Sequence, residues 1–251
     1  MNNAMYIGLS RQMVLRRAMD VVANNIANAD TSGFKVEDLM SRTEAAKPAR
    51  TADGPRPIKF AIDSGVARDF GQGTLRDTGG KLDFAIEGDG FFTVRTAAGP
   101  RYTRDGRFTL DTEGRLVTQR GQPVLDEAGA EITLNPEEGE VSVSSDGVIS
   151  QVDPTTGQAR VVGRLGVVRF DNLAVLDKQG DNLLANTSNA RPQAAGGSQV
   201  RQGMLEGSNV NSIVQITRMI EINRAYESAS KLVSQTEELS RSAIERLGRV
   251  N

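Results

Sequence analysis

The sequence predicts an α+β protein in which the N- and C-terminal helices pair as a coiled coil and a mainly antiparallel β region lies between them. Three features of the chain point that way. Apolar residues near both ends recur at spacings of three and four, the period of a helix face. Glycine-centred turn signals punctuate the middle at intervals that suit short strands. Prolines break the stretch between the first helix and the β region, so no long helix can continue there.

The first helix is expected from residue 4 to about residue 28. Leu15, Met19, Val22 and Ile26 share one face, with Met5 and Leu9 ahead of them. It closes on Asn24-Asn25-Ile26-Ala27-Asn28, although asparagine disfavours helix interiors because its amide competes with the backbone for hydrogen bonds. Asp30-Thr31-Ser32-Gly33 then leads the chain out, with Gly33 supplying a turn and Phe34 anchoring the exit by burial. Residues 40 to 70 read as a loose connector marked by Lys47-Pro48, Asp53-Gly54-Pro55 and Arg56-Pro57.

From about 71 to 200 the pattern is β. Turn signals fall at Gly90, Gly99-Pro100, Asp105-Gly106, Gly114, Gly121, Gly129, Gly139, Gly147 and Gly157, seven to ten residues apart. Asp105-Gly106 is the best hairpin candidate, since that pair tolerates the positive φ of a type I′ turn. The apolar segment Val161–Phe170 is expected to cross the core, and residues 185–199 to form an extended return loop.

The last segment has the clearest period. Met219, Ile222, Tyr226, Ala229, Val233, Thr236, Ser240, Ala243, Leu247 and Val250 alternate at spacings of three and four, and Ala225, Leu232 and Leu239 widen the face. Glu227–Lys231, Glu237–Arg241 and Glu245–Arg249 add i,i+4 pairs in the favourable orientation, each about 0.2–0.5 kcal/mol. A helix of about 35 residues spans about 50 Å, more than a compact β domain of this size covers. Its expected partner is therefore the N-terminal helix, with remaining faces buried on neighbouring copies. The domains expected are a helical core from residues 1–35 and 205–251, an extended proline-rich connector over 36–75, and a β-rich outer domain over 76–204.

Composition narrows the chemistry. The chain has 251 residues and a formal net charge of −2, so it lacks the basic excess of a nucleic-acid binder. No apolar run reaches the length of a membrane helix, and polar residues interrupt the N-terminal segment where a secretory signal would need a continuous apolar core. Cysteine and histidine are both absent, which removes disulfides, thiolate metal sites, serine triads and His-bearing zinc sites. Gly71-Gln72-Gly73 and Gly88-Asp89-Gly90 open no helix after a strand and read as tight turns rather than phosphate cradles. Asp146 and Asp153 lack the spacing of a calcium loop. No catalytic, cofactor or metal site is expected.

Several ordered motifs together resemble the bacterial flagellar rod and hook proteins: Asn24–Lys35 (NNIANADTSGFK), Phe84–Phe92 (FAIEGDGFF), Tyr102–Leu110 (YTRDGRFTL), Leu205–Asn211 (LEGSNVN) and Met219–Glu227 (MIEINRAYE). The resemblance runs nearly end to end, and the short stretch 36–70 is most similar to proximal-rod members, with distal-rod members as the alternative. It implies terminal helices joined in an inner domain, β domains outside, and a structural subunit stacked helically into a periplasm-spanning drive shaft that passes torque from motor to hook. Implied partners are further copies, other rod proteins, hook-side axial proteins and the flagellar type III export apparatus, without nucleic acid, membrane insertion or cofactor. Subunit contacts are assigned to Asn24, Asn25, Ile26, Asn28, Gly33, Phe34, Asn209, Asn211, Met219, Ile222, Tyr226, Ala229, Val233, Ala243 and Leu247. A different class, a cell-wall-acting enzyme with a helical stalk, would need a carboxylate pair such as Asp83 and Glu87. Their i,i+4 separation along a strand would put the two about 13 Å apart.

Overall fold

The computed structural model describes residues 2–45, 59–135, 139–153, 156–188 and 190–248. The chain divides into a helical unit (residues 1–28, 36–69 and 210–251) and a β unit (residues 29–35 and 70–209).

The helical unit holds α1 (Asn2–Ala27), α2 (Ser212–Gly248) and an antiparallel hairpin of β1 (Glu37–Ala45) and β2 (Lys59–Arg68). Both hairpin strands lie within the 36–75 stretch read as a connector. Its prolines, Pro48, Pro55 and Pro57, lie outside the described residues. The two helices run antiparallel, for the end of α1 meets the start of α2 at Asn25 and Gln215, while Gly8 lies under Val233. A side chain at Gly8 would collide with that valine, its Cβ 2.5 Å from Cγ2.

This contact is not the expected coiled coil. A coiled coil buries a continuous seam of large side chains as knobs in holes. Here only Ala229 of the described α2 stripe is fully buried, with Met219, Ile222, Tyr226 and Val233 half-covered. Leu232 and Leu239, expected to widen the covered face, are 56% and 71% exposed. The reason lies in α1, whose covered face is shared between α2 and the β1–β2 hairpin. Arg17 pairs with Asp63 of the hairpin, and Asn25 bonds Glu37.

The β unit is antiparallel throughout. Its first strands, β3 (Leu75–Asp77) and β4 (Phe84–Glu87), pair with its last, β17 (Met204–Glu206) and β16 (Gln199–Gln202), so entry and exit of the unit are zipped together. Between them lie β5 (Phe91–Thr96), β6 (Gly99–Thr103), β7 (Phe108–Leu110), β8 (Leu116–Thr118), β9 (Val141–Val143), β10 (Val148–Val152), β11 (Ala159–Arg164), β12 (Val167–Arg169), β13 (Leu176–Lys178), β14 (Leu184–Asn186) and β15 (Gln193–Ala194). A six-stranded sheet has the order β13-β14-β6-β5-β12-β15, and a three-stranded sheet the order β11-β10-β9. Successive side chains of a strand face opposite ways. Phe91 accordingly enters one core cluster with Tyr102, Phe170, Leu176 and Leu184, while Phe92 and Val94 enter another with Phe84, Phe108, Leu116 and Ile149.

Asp105-Gly106 is not the hairpin turn expected from its sequence. β6 pairs with β5 and β14, and β7 pairs with β8. Asp105 Oδ1 instead accepts from the N–H of Arg107, making a local side-chain turn that redirects the chain between sheets. Gly106 is required because an added Cβ would lie 1.7 Å from the Phe84 carbonyl oxygen. Val161–Phe170 does not cross the core as one segment either, since Val161 is 66% exposed on β11 whereas Leu165 and Phe170 are buried.

Candidate functional site

Two places in the molecule use side chains in ways that simple packing does not explain. The first is the amide-rich end of α1. Asn25 is completely buried, and its amide acts as a stand-in for a strand backbone. Its Oδ1 accepts from the Glu37 N–H at 3.0 Å, while its Nδ2 donates to the Glu37 carbonyl at 2.7 Å and to Gln215 Oε1 at 3.3 Å. An asparagine that costs the helix propensity thus satisfies both backbone groups at the start of β1. Asn24 is exposed, and its carbonyl accepts from the Asn28 side chain at 2.8 Å; Ile26 is half-buried. Asn211 caps α2, its Oδ1 accepting from the N–H groups of Ile213 and Val214. Asn25 and Asn211 are therefore engaged inside the helical unit itself.

Large apolar side chains remain uncovered on both helices. Tyr6, Leu9 and Met13 follow one face of α1, and Ile213, Ile216 and Ile220 one face of α2. The side chains of Ala243 and Leu247 lie outside the described residues.

The second place is a buried ion cluster in the β unit. The Glu206 side chain is fully enclosed; Oε1 accepts from Lys35 Nζ at 2.5 Å and from the Gly73 N–H at 2.8 Å, and Oε2 from Arg104 at 2.9 Å. Lys35 also donates to the Gly71 carbonyl, and Arg104 to the carbonyls of Ile86 and Gly88. The Arg104 guanidinium lies 5.4 Å from the Phe91 ring centre, so an aromatic face supplements its one carboxylate. Buried charges persist only when paired and hydrogen-bonded, and this carboxylate accepts from a cation or a backbone N–H on each oxygen.

Around the cluster the segment 31–35 begins with a turn, in which the Phe34 N–H donates to the Thr31 carbonyl at 3.3 Å. Gly33 adopts a φ of +70°, its N–H donates to the Glu206 carbonyl at 2.8 Å, and a Cβ there would meet the backbone of Arg104 and Asp105 at 2.5 Å. Phe34 is buried beneath the Lys178 ammonium, 4.7 Å from the ring centre. Asn209 accompanies it, with its N–H directed to the Phe34 carbonyl and its side chain to the Gly71 carbonyl at 3.1 Å.

Nearby, Arg107 makes a two-pronged pair with Asp105 at 2.7 and 2.9 Å, which raises the guanidinium pKa further above its ordinary value. Burial likewise raises Tyr102, whose ring packs edge-on against Phe170. Neither arrangement presents a group poised for proton transfer. Among the described residues no three His, Cys, Asp or Glu side chains converge to hold a metal ion. Asp83 accepts from Thr78 Oγ1 and Glu87 pairs with Arg201, so both carboxylates have other partners. An open groove of about 690 Å³ includes Thr93, Tyr102, Val167 and Val168 in its wall; among its charged residues, Arg95 pairs with Glu131 and Glu127 with Arg164.

Lys35, Arg104 and Glu206 were not singled out from the sequence, although each lies within a motif: GFK, YTR and LEG. The signal was present but unreadable, because exposed and buried charges look alike in a sequence.

Those motifs are also what comparison with known proteins detects. Residues 5–35 match the family described as flagella basal body rod protein, residues 85–151 the flagellar hook protein FlgE/F/G D1 domain, and residues 201–246 the flagellar basal body rod FlgEFG protein C-terminal family. The chain is 59% identical over 251 residues to the flagellar basal-body rod protein FlgF of Caulobacter vibrioides, covering 100% of both chains. It is 35% identical to FlgF of Mesorhizobium japonicum, covering 99% of each, and 34% identical to the flagellar basal-body rod protein FlgG of Bacillus subtilis, covering 95% of this chain and 97% of that one.

Proposed function

This chain belongs to the flagellar basal-body rod protein family, and from that premise we propose that it is a structural subunit of the rod, at the proximal end of a drive shaft passing torque from motor to hook. It is not an enzyme. The single observation that carries the reading is the end-to-end 59% identity to a FlgF rod protein, against 34% to a FlgG protein. In this reading its neighbours are other rod subunits and hook-side axial proteins, and it leaves the cytoplasm through the flagellar type III export apparatus.

Subunit contacts fall on the helical unit. Exposed apolar rows at Tyr6, Leu9 and Met13 and at Ile213, Ile216 and Ile220 are faces that one copy leaves uncovered. Burying such faces against neighbours yields about 25 cal/mol per Å² of apolar surface, repeated at every contact of an open array. Asn24, Met219, Ile222 and Tyr226, exposed or half-exposed in the single copy, join that surface, and Ala243 and Leu247 extend it by position along α2.

Deletion of the gene followed by electron microscopy of isolated basal bodies tests the proposal. The expected result is an interrupted rod without hook or filament. A complete rod in the deletion strain overturns the proposal.

A further inference from the structure

We infer that Glu206, with Lys35 and Arg104, is a mechanical clamp that gathers the ends of the β unit and lets it take up torsional load as one body. The inference rests on the reading of the chain as a torque-carrying subunit, but it concerns a different property: how force enters the β unit.

The polypeptide crosses between the helical and β units at four places, next to residues 29, 35, 70 and 209. Force carried by the covalent chain enters the β unit at those four ends. Left untied, each end would peel away separately, drawing residues from the sheet one hydrogen bond at a time. The structure ties them instead. The Glu206 carboxylate holds the ammonium of Lys35 from one end and the Gly73 N–H from another, and its own backbone carbonyl holds the Gly33 N–H. The last end is fastened by Asn209, through its bond to the Gly71 carbonyl. Arg104 joins the knot to the interior, because it bonds Glu206 on one side and the carbonyls of Ile86 and Gly88, at the end of β4, on the other. Bonds that break together resist force far better than bonds that break in turn, and one enclosed carboxylate makes these bonds share load. Burial matters here, since exposed ion pairs are screened and contribute little.

Single-molecule pulling on the full chain tests the inference. The protein has no cysteine, so two introduced cysteines define the points of attachment. One geometry uses Ala29→Cys with Val210→Cys, which loads the knot. The other uses the exposed Ala97→Cys with Thr156→Cys, which loads the sheet without passing through Glu206. In the first geometry Glu206→Gln is expected to abolish the high-force first rupture, while in the second the rupture force stays at the wild-type value. An unchanged force in the first geometry overturns the inference. So does an equal fall in both, which would mark Glu206 as an ordinary contributor to stability. Should Glu206→Gln fail to fold, Lys35→Met is pulled in the same two geometries, with the same outcomes deciding, because it leaves the Arg104–Glu206 pair in place. A chain that proved absent from the rod would leave these forces as they are, so the two proposals fail separately.

Discussion

The two units of this molecule handle apolar surface in opposite ways. Among the described residues, every buried apolar side chain except Val21, Val22 and Ala229 belongs to the β unit. Conversely, every large hydrophobic side chain that is strongly exposed, except Val161, belongs to the helical unit. The β unit closes its own core, with its first and last strands paired and a buried ion cluster where they meet. The helical unit buries little by itself and presents rows of isoleucine, leucine and methionine outward. Surface of that kind marks an interaction site. One unit closes its core within a single chain, and the other leaves apolar faces open.

The strongest way to break this contrast is to spoil the self-sufficiency of the β unit. Glu206→Ala would leave Lys35 and Arg104 buried with no carboxylate between them, a loss of about 3–5 kcal/mol for a broken buried pair. Denaturant unfolding followed on the β unit should show a midpoint lowered accordingly. A midpoint like that of the wild type would mean that water reaches the site.

A smaller effect is expected inside the helical unit. Asn25→Ala removes the partner of two backbone groups of Glu37, at a cost of about 1–3 kcal/mol for unsatisfied buried groups. Hydrogen exchange should speed up along Glu37–Ala45 and leave β4 to β8 unchanged. Equal acceleration in both units would show that they unfold as one.

The contrast sharpens most at the uncovered helix faces. Leu239 is 71% exposed, so Leu239→Ser should move the stability of the isolated protein by no more than about 0.5 kcal/mol. Motility in soft agar should nevertheless fall if that face meets a neighbour. Full swimming would remove Leu239 from the assembly surface.

The smallest expected effect concerns pH. A hydrogen bond from Arg115 holds the Asp111 carboxyl below its usual range. A depressed carboxylate pKa contributes stability above the unfolded value and loses it as pH falls through the folded one. The 111–115 turn should therefore loosen only in acid, below the ordinary carboxylate range, and the Asp111→Asn protein should lack that step in an acid titration followed by NMR. Because the pair is only half-buried and sits in a surface turn, the global unfolding midpoint should barely move.

Local patterns foretold much of this architecture. The two helices lie close to where periodicity puts them, and the glycine-punctuated middle is a set of short antiparallel strands. The coiled coil failed for a reason the sequence hides. Spacing says which residues of α2 share a face, but not that α1 would divide its own face between α2 and a hairpin. Asp105-Gly106 failed similarly, because an Asp-Gly pair serves a hairpin and a change of sheet equally well locally. At Asn25 the local rule read correctly as a penalty, and the compensation came from Glu37, twelve residues away.

By itself, then, the sequence determined the helix–β–helix order, the absence of histidine and cysteine chemistry, and the motifs that place the chain among rod proteins. These follow from short-range propensity and composition, which act within a few residues. Only the tertiary structure decided which helix faces stay open and which charges are enclosed. Lys35, Arg104 and Glu206 stand far apart in the chain, and each alone has the profile of an ordinary surface charge. Their meeting depends on long-range strand pairing, where β3 and β4 join β17 and β16. Desolvation then turns three common residues into a knot that none of them reveals singly.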